Sequence, residues 1–173
     1  MIHQSKEAAD IICRWWRGLQ PDPARGQKGA RAALARLRHA PTLLAAAMEP
    51  ETLSLCRALS AQVQDMQKVA LIAAILADLR EDVRGETFAR ALGTPEDKPI
   101  CSFFRFRRLL EATEPEAQLI AFRRALALLK HRGNLRDLAE SLLDWNDTRR
   151  QRWLYDYYQT NNPASSAVLE TQP

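Results

Sequence analysis

From Phe103 to Tyr158 the apolar residues return at helical spacing, and no other feature restricts the fold of this chain as strongly. Phe103, Phe106 and Leu110 stand at i, i+3 and i+7, and Leu119, Phe122, Leu126 and Leu129 continue the repeat. A strand would alternate, so this spacing predicts consecutive helices that each keep one stripe for a core. Composition extends the reading to the whole chain. Only 6 of the 173 residues are glycine, β-branched residues are few, and alanine, leucine and arginine abound. The expected class is all-α: two small helical bundles packed end to end, with about eight or nine helices. The bundles are placed at residues 1–95 and 96–160, followed by a disordered tail at 161–173. The boundary rests on GTPEDKP at 93–99, where glycine, prolines and charges interrupt the helical pattern.

In order, a first helix is predicted from Ser5 to about Leu19, stopped by Pro21 and Pro23. Its adjacent Trp15 and Trp16 point about 100° apart, so both find cover only if two neighbours pack on this helix. Gly26 and Gly29 predict a mobile loop before the next helix, which carries Ala30, Ala33, Leu34 and Leu37 on its apolar side. Short helices are expected at 41–48 and 50–60, the second burying Leu53, Cys56 and Leu59. Asp65 is placed to cap a long apolar helix through VALIAAILADL. A short helix ends at Gly93, Gly133 suits a helix C-cap, and Asn134 and either Asn146 or Asp147 suit N-caps. The last helix should bury Trp153, Leu154 and Tyr157, with Tyr158 a further candidate.

The charge is distributed unevenly. From Arg14 to Ala47 the single acid is Asp22, against Arg14, Arg17, Arg25, Lys28, Arg31, Arg36 and Arg38. Like charges one or two turns apart stabilise nothing, so an unneutralised run points to an anionic partner. Nucleic acid is favoured, with a solvated face and an acidic protein surface as the alternatives. Arg105, Arg107, Arg108, Arg123, Arg124 and Lys130 edge the two helices after residue 103. Arg149, Arg150 and Arg152 open the last helix, where the dipole prefers acids.

The residues offer no catalytic constellation. There is no phosphate-binding glycine loop, no HExxH and no GxSxG, and His3, His39 and His131 stand isolated in sequence. Acids such as Glu114, Glu116, Asp144 and Asp147 fall at helix ends, where capping explains them. Cys13, Cys56 and Cys101 are odd in number and far apart, which fits neither a disulfide framework nor a zinc site. We therefore expect no enzyme activity, metal or cofactor. The best apolar run ends at Arg80, short of the roughly 18–20 residues that cross a bilayer. A soluble, cytoplasmic protein is expected.

Towards the C-terminus the order of segments becomes distinctive. GETFARALG precedes FRRLLEATEPEAQLIAFRRALALL, and LRDLAESLLDWND runs into TRRQRWLYDYYQT. This order, with Arg14 to Trp16, Arg90, Leu92, Arg107, Leu110, Arg123, Arg124, Trp145 and Trp153, resembles the CasB family over roughly Ile11 to Thr160. CasB proteins are the small subunits of Cascade, the type I-E CRISPR surveillance complex. The resemblance implies an all-helical, non-catalytic subunit in two bundles. It would sit as a head-to-tail homodimer beside the guide-binding backbone and the large subunit. There it would help hold the guide RNA–target DNA hybrid and the displaced strand (the R-loop). Base pairing reads the sequence in such a complex, so the protein needs backbone contacts only. The residues expected to make them are Lys28, Arg31, Arg36 and Arg38 in one half, and Arg105, Arg107, Arg108, Arg123, Arg124 and Lys130 in the other. The alternative is a helical protein–protein scaffold whose arginines meet acidic partner surfaces. A stand-alone helical regulator is a weaker reading, because no helix pair has the tight turn of a recognition motif.

Overall fold

A computed structural model of the chain describes residues 6–93 and 98–161. The expected helix start at Ser5, His3, four residues of the expected boundary (94–97) and residues 162–173 of the tail lie outside the described residues. The fold is all-α, with ten helices among the described residues.

The chain runs through α1 (Lys6–Leu19), α2 (Arg31–His39), α3 (Leu43–Ala47), α4 (Pro50–Ala58) and α5 (Met66–Leu76). It continues through α6 (Phe88–Gly93), α7 (Phe103–Glu111), α8 (Pro115–Leu128), α9 (Leu135–Leu143) and α10 (Asp147–Asn161). Two strands of two residues each, β1 (Glu81–Asp82) and β2 (Arg132–Gly133), pair in parallel and tie the loop after α5 to the loop after α8. The short strands were not expected, because two residues carry no readable alternation.

The centre of the molecule is α5. Every residue from Val69 to Ala77 is buried, on all sides of the helix. A helix that is apolar all round has no solvent face and must be enclosed, and α2, α3, α4, α8 and α9 pack around this one. Each fully buried leucine or isoleucine here contributes about 1.5–3 kcal/mol. One continuous buried cluster runs from Ile12 of α1, through Ile72 of α5 and Phe122 of α8, to Trp153 of α10.

The two tryptophans of α1 find two neighbours. Trp16 is buried and its indole N–H donates to the Leu76 carbonyl of α5 (2.9 Å), while half-buried Trp15 donates to the Glu51 carbonyl of α4 (3.0 Å). The loop with Gly26 and Gly29, expected to be mobile, is drawn into a compact turn by hydrogen bonds. The Gln27 side-chain amide donates to the carbonyls of Gly18 (2.9 Å) and Gln20 (2.6 Å), and Ala30 N–H donates to Leu19 (2.9 Å). Gly29 has φ +72°, and a Cβ there would stand 2.6 Å from the Pro21 nitrogen.

Five local expectations change. Asp65 precedes α5 but makes no side-chain cap bond to it, and its carboxylate accepts from the Gln62 N–H (3.0 Å). In α4 the buried residues are Thr52 and Leu55, followed by Leu59 just past its end, while Leu53 is exposed; the Thr52 hydroxyl donates to the Ala46 carbonyl (2.7 Å) and turns that stripe inward. In α7 Phe106 and Leu109 are buried and Phe103 is exposed. In α10 Trp153 and Tyr157 are buried, whereas Leu154 and Tyr158 face solvent. The end of α8 is not capped by Gly133. Lys130 and His131 take the left-handed conformation there (φ 55° and 61°), and Gly133 serves strand β2 against Phe88. Asn134 and Asn146 cap as expected, accepting from Asp137 N–H (3.0 Å) and Arg149 N–H (2.9 Å).

Candidate nucleic-acid interface

The α7–α8 pair is held in place by aromatic side chains. Tyr157 stacks on Phe106 with ring centroids 4.1 Å apart, and its hydroxyl donates to the Cys101 carbonyl (2.6 Å) at the start of α7. Trp145 packs edge-on against Phe122 (5.0 Å) and donates to the Ala112 carbonyl (3.0 Å) in the α7–α8 turn. Gln118 donates to Thr113 (2.8 Å) and closes that turn. Trp153 sits among Phe88, Phe122 and Trp145 and donates to the buried Ser141 hydroxyl (2.9 Å). These contacts explain why a basic, aromatic α10 follows the leucine-rich α9: its rings fix the helix pair that precedes it.

With the pair fixed, the start of α7 lies beside the end of α8, and a groove of about 420 Å³ opens between them. Arg105 and Arg108 from α7 and Arg124 from α8 line it, over a floor of Leu109, Ala125 and Leu128. Among the described residues no acid lines the groove, and these three arginines make no ion pair. The Arg108 guanidinium lies over the exposed ring of Phe104, 4.6 Å from its centroid. The Cys101 thiol at the groove's edge is pushed above its ordinary pKa by burial, with Arg105 pulling the other way. It is a small buried apolar group, not a nucleophile.

The other expected site residues are placed differently. Arg123, one residue from Arg124, points into the molecule: its Nε lies 2.9 Å from the Asp78 carboxylate, and it donates to the carbonyls of Leu37 (2.8 Å) and Ala40 (3.4 Å). Arg38 donates to the Ala77 carbonyl at the end of α5 (2.6 Å), and burial lowers its pKa. His131 Nδ1 lies 3.0 Å from the Asp78 carbonyl oxygen, so this histidine is not isolated in space. Together these groups finish the C-terminal end of α5, where unsatisfied carbonyls and the dipole favour cations. Burial raises the Asp78 pKa, with Arg123, His131 and Arg38 acting against that rise.

Arg36 is held by Glu49 (2.7 Å) and Glu51 (3.6 Å), and Arg107 by Glu111 one turn along α7 (2.7 Å). Lys28 and Arg31 are exposed, make no ion pair among the described residues, and stand at the entry to α2, away from the α7–α8 groove. Lys130 lines a separate cavity between the strand loops and α6, with Glu86 and Arg132. The structure thus gathers Arg105, Arg108 and Arg124 and leaves the other seven elsewhere. A feature not expected from sequence is the exposure of Phe104. Its signal was present: with Phe106 facing the core, Phe104 two positions earlier lies about 200° round the helix.

No group of three or more metal-binding side chains occurs among the described residues, and no helix among them is long and apolar enough to cross a membrane. Glu116, expected as a cap, accepts from the Leu43 N–H of α3 (3.0 Å).

The class defined by these features is an all-α protein whose α7–α8 pair carries an arginine groove with no acid lining it among the described residues. Residues 30–158 match the family described as CRISPR-associated protein Cse2, and the chain belongs to that family. Cse2 is the CasB small subunit of type I-E Cascade, a non-catalytic accessory subunit of the CRISPR surveillance complex. The matched segment includes all three groove arginines, while Lys28 lies before it. No curated protein and no solved structure matches the chain.

Proposed function

We propose that, within Cascade, this subunit holds nucleic-acid backbone in the α7–α8 groove and so stabilises the R-loop. The observation that carries the reading is the gathering of Arg105, Arg108 and Arg124 over an apolar floor, with no acid among the described residues lining the groove. Three cations in one groove repel one another, and no acid among the described residues relieves them. Phosphates passing along the groove would. A guanidinium suits that task because its planar fork donates two parallel hydrogen bonds to phosphate. Backbone contact carries no sequence information, which fits a complex whose guide reads the sequence by base pairing. Lys28 and Arg31 supply further attraction from the other half of the molecule. The partners in this reading are the guide RNA, the target DNA, the guide-binding backbone, the large subunit and a second copy of the chain arranged head to tail.

The test is the double charge reversal Arg105→Glu with Arg124→Glu, in Cascade assembled from its subunits. Each lost phosphate contact should flatten the dependence of log K on log salt by about 0.7–0.9. Target binding should weaken at low salt, while helicity and incorporation into the complex stay unchanged. Unchanged target binding and salt dependence would refute the reading and favour the scaffold alternative.

A further inference from the structure

Resting on that reading of the groove, we infer that Phe104 is a base-stacking residue, and that the strand it receives is single. Three observations support this. First, Phe104 is 64% exposed and Phe103 beside it 56%, although α7 buries Phe106 and Leu109 on its other side. Phenylalanine has no polar atom to satisfy in water, so an exposed ring gains nothing from hydration. Second, Phe104 adjoins the groove directly, because Arg108, which lines the groove, also lies 4.6 Å over the Phe104 ring. Third, the groove is lined by cations and by no acid among the described residues, which favours an anionic chain beside the ring. An acidic peptide could satisfy the charge, but only some of its residues would bring a flat face to the ring, whereas every nucleotide does.

A cationic track beside an exposed aromatic ring is how proteins hold single strands without reading sequence. The cations follow the phosphates, and any base can stack because every base has a π face. In a duplex or hybrid the bases already stack on each other, so Phe104 would add nothing there. The Arg108 guanidinium has two uses in this arrangement. Placed over Phe104, it is held ready for phosphate, and it extends the stacking surface, since arginine planes also stack on bases.

The alternative is that Phe104 only positions Arg108, and the test separates the two. The full-length chain is titrated at several salt concentrations with a single-stranded DNA of about 12 nucleotides and with a duplex of equal length. Phe104→Leu keeps apolar bulk but removes the ring. It should weaken single-strand binding by about fivefold or more and leave duplex binding and the salt slope unchanged. In the same strand carrying 5-iododeoxyuridine, long-wavelength light should crosslink the base to Phe104. A Phe104→Leu slope that falls by about 0.7, as when one phosphate contact is lost, would overturn the inference in favour of a positioning role for the ring. Equal loss on single strand and duplex would overturn it too. If Phe104→Leu has no effect while Arg105→Glu with Arg124→Glu abolishes binding, the stacking inference fails and the groove reading stands. If the double reversal also has no effect on either probe, the groove reading itself fails.

Discussion

Arg123 and Arg124 are adjacent on α8, and the structure gives them opposite work. Arg123→Ala removes an ion pair to Asp78 at 2.9 Å and hydrogen bonds to the carbonyls of Leu37 and Ala40. Losing one partner of a buried pair costs about 3–5 kcal/mol, mostly through the charge left behind. Arg123 and Asp78 keep 23% and 15% side-chain exposure, so water relieves part of that cost. About 2–3 kcal/mol is the expected loss once that relief is allowed for. At about 2–4 °C per kcal/mol for a chain of this size, the melting temperature should fall by about 4–12 °C. Arg124→Ala removes an exposed side chain with no ion pair among the described residues, and its stability should stay within about 0.5 kcal/mol of the parent. Scanning calorimetry of both variants, with binding to single-stranded DNA measured well below either melting point, is the assay. Arg123→Ala should lower stability and leave binding by the folded protein intact, and Arg124→Ala should do the reverse. Equal melting temperatures for the two variants, or a larger binding loss from Arg123→Ala, would refute the division of labour.

Three further outcomes are expected. Gly133→Ala places a Cβ 2.7 Å from the Phe88 ring and should cost about 1–3 kcal/mol by overpacking, read from urea midpoints. Arg107→Ala breaks an exposed pair with Glu111 and should change stability by no more than about 0.5 kcal/mol in the same assay. Burial raises the Asp137 pKa, against the opposing Phe88 N–H bond, so the folded state holds this proton more tightly than the unfolded chain. The stability this carboxyl contributes is therefore full in acid and lost as pH rises through its raised value. Asp137→Asn abolishes that loss, so the urea midpoint of the variant should gain on the parent's from pH 4 towards neutrality. A gap that is constant or moves the other way contradicts the assignment.

The helices were legible because apolar spacing is a local signal. Phe106, Leu119, Phe122 and Leu126 are all buried, and the caps at Asn134 and Asn146 lie within three residues of the groups they satisfy. The fate of each cation was not legible, because it depends on residues distant in sequence. The run from Arg14 to Ala47 looked unneutralised, yet Glu49 and Glu51 lie just beyond it and reach back to Arg36. Arg123 meets carbonyls more than eighty residues earlier. Wheel geometry placed Arg123 away from the leucine stripe, but it could not know that α2 and the end of α5 cover that side. Gly133 likewise read as a cap because the strand pairing that needs it spans fifty residues.

The arrangement of α7 and α8 shows why the groove keeps its charge. The acids of this pair are at the turn end: Glu111 holds Arg107, and Glu116 is engaged with the N-terminus of α3. At the opposite end, Arg105 occupies the first turn of α7, where its own helix dipole disfavours a cation. It lies, however, beside the last turns of α8, whose carbonyl end favours one. Each effect is worth about 0.3–1 kcal/mol at a surface, so the two nearly cancel. The fold therefore tolerates Arg105 without gaining from it, and no acid among the described residues offsets the repulsion with Arg108 and Arg124. A site that costs its own fold a little and holds three cations over an apolar floor is the electrostatic form expected where an anionic chain completes it from outside.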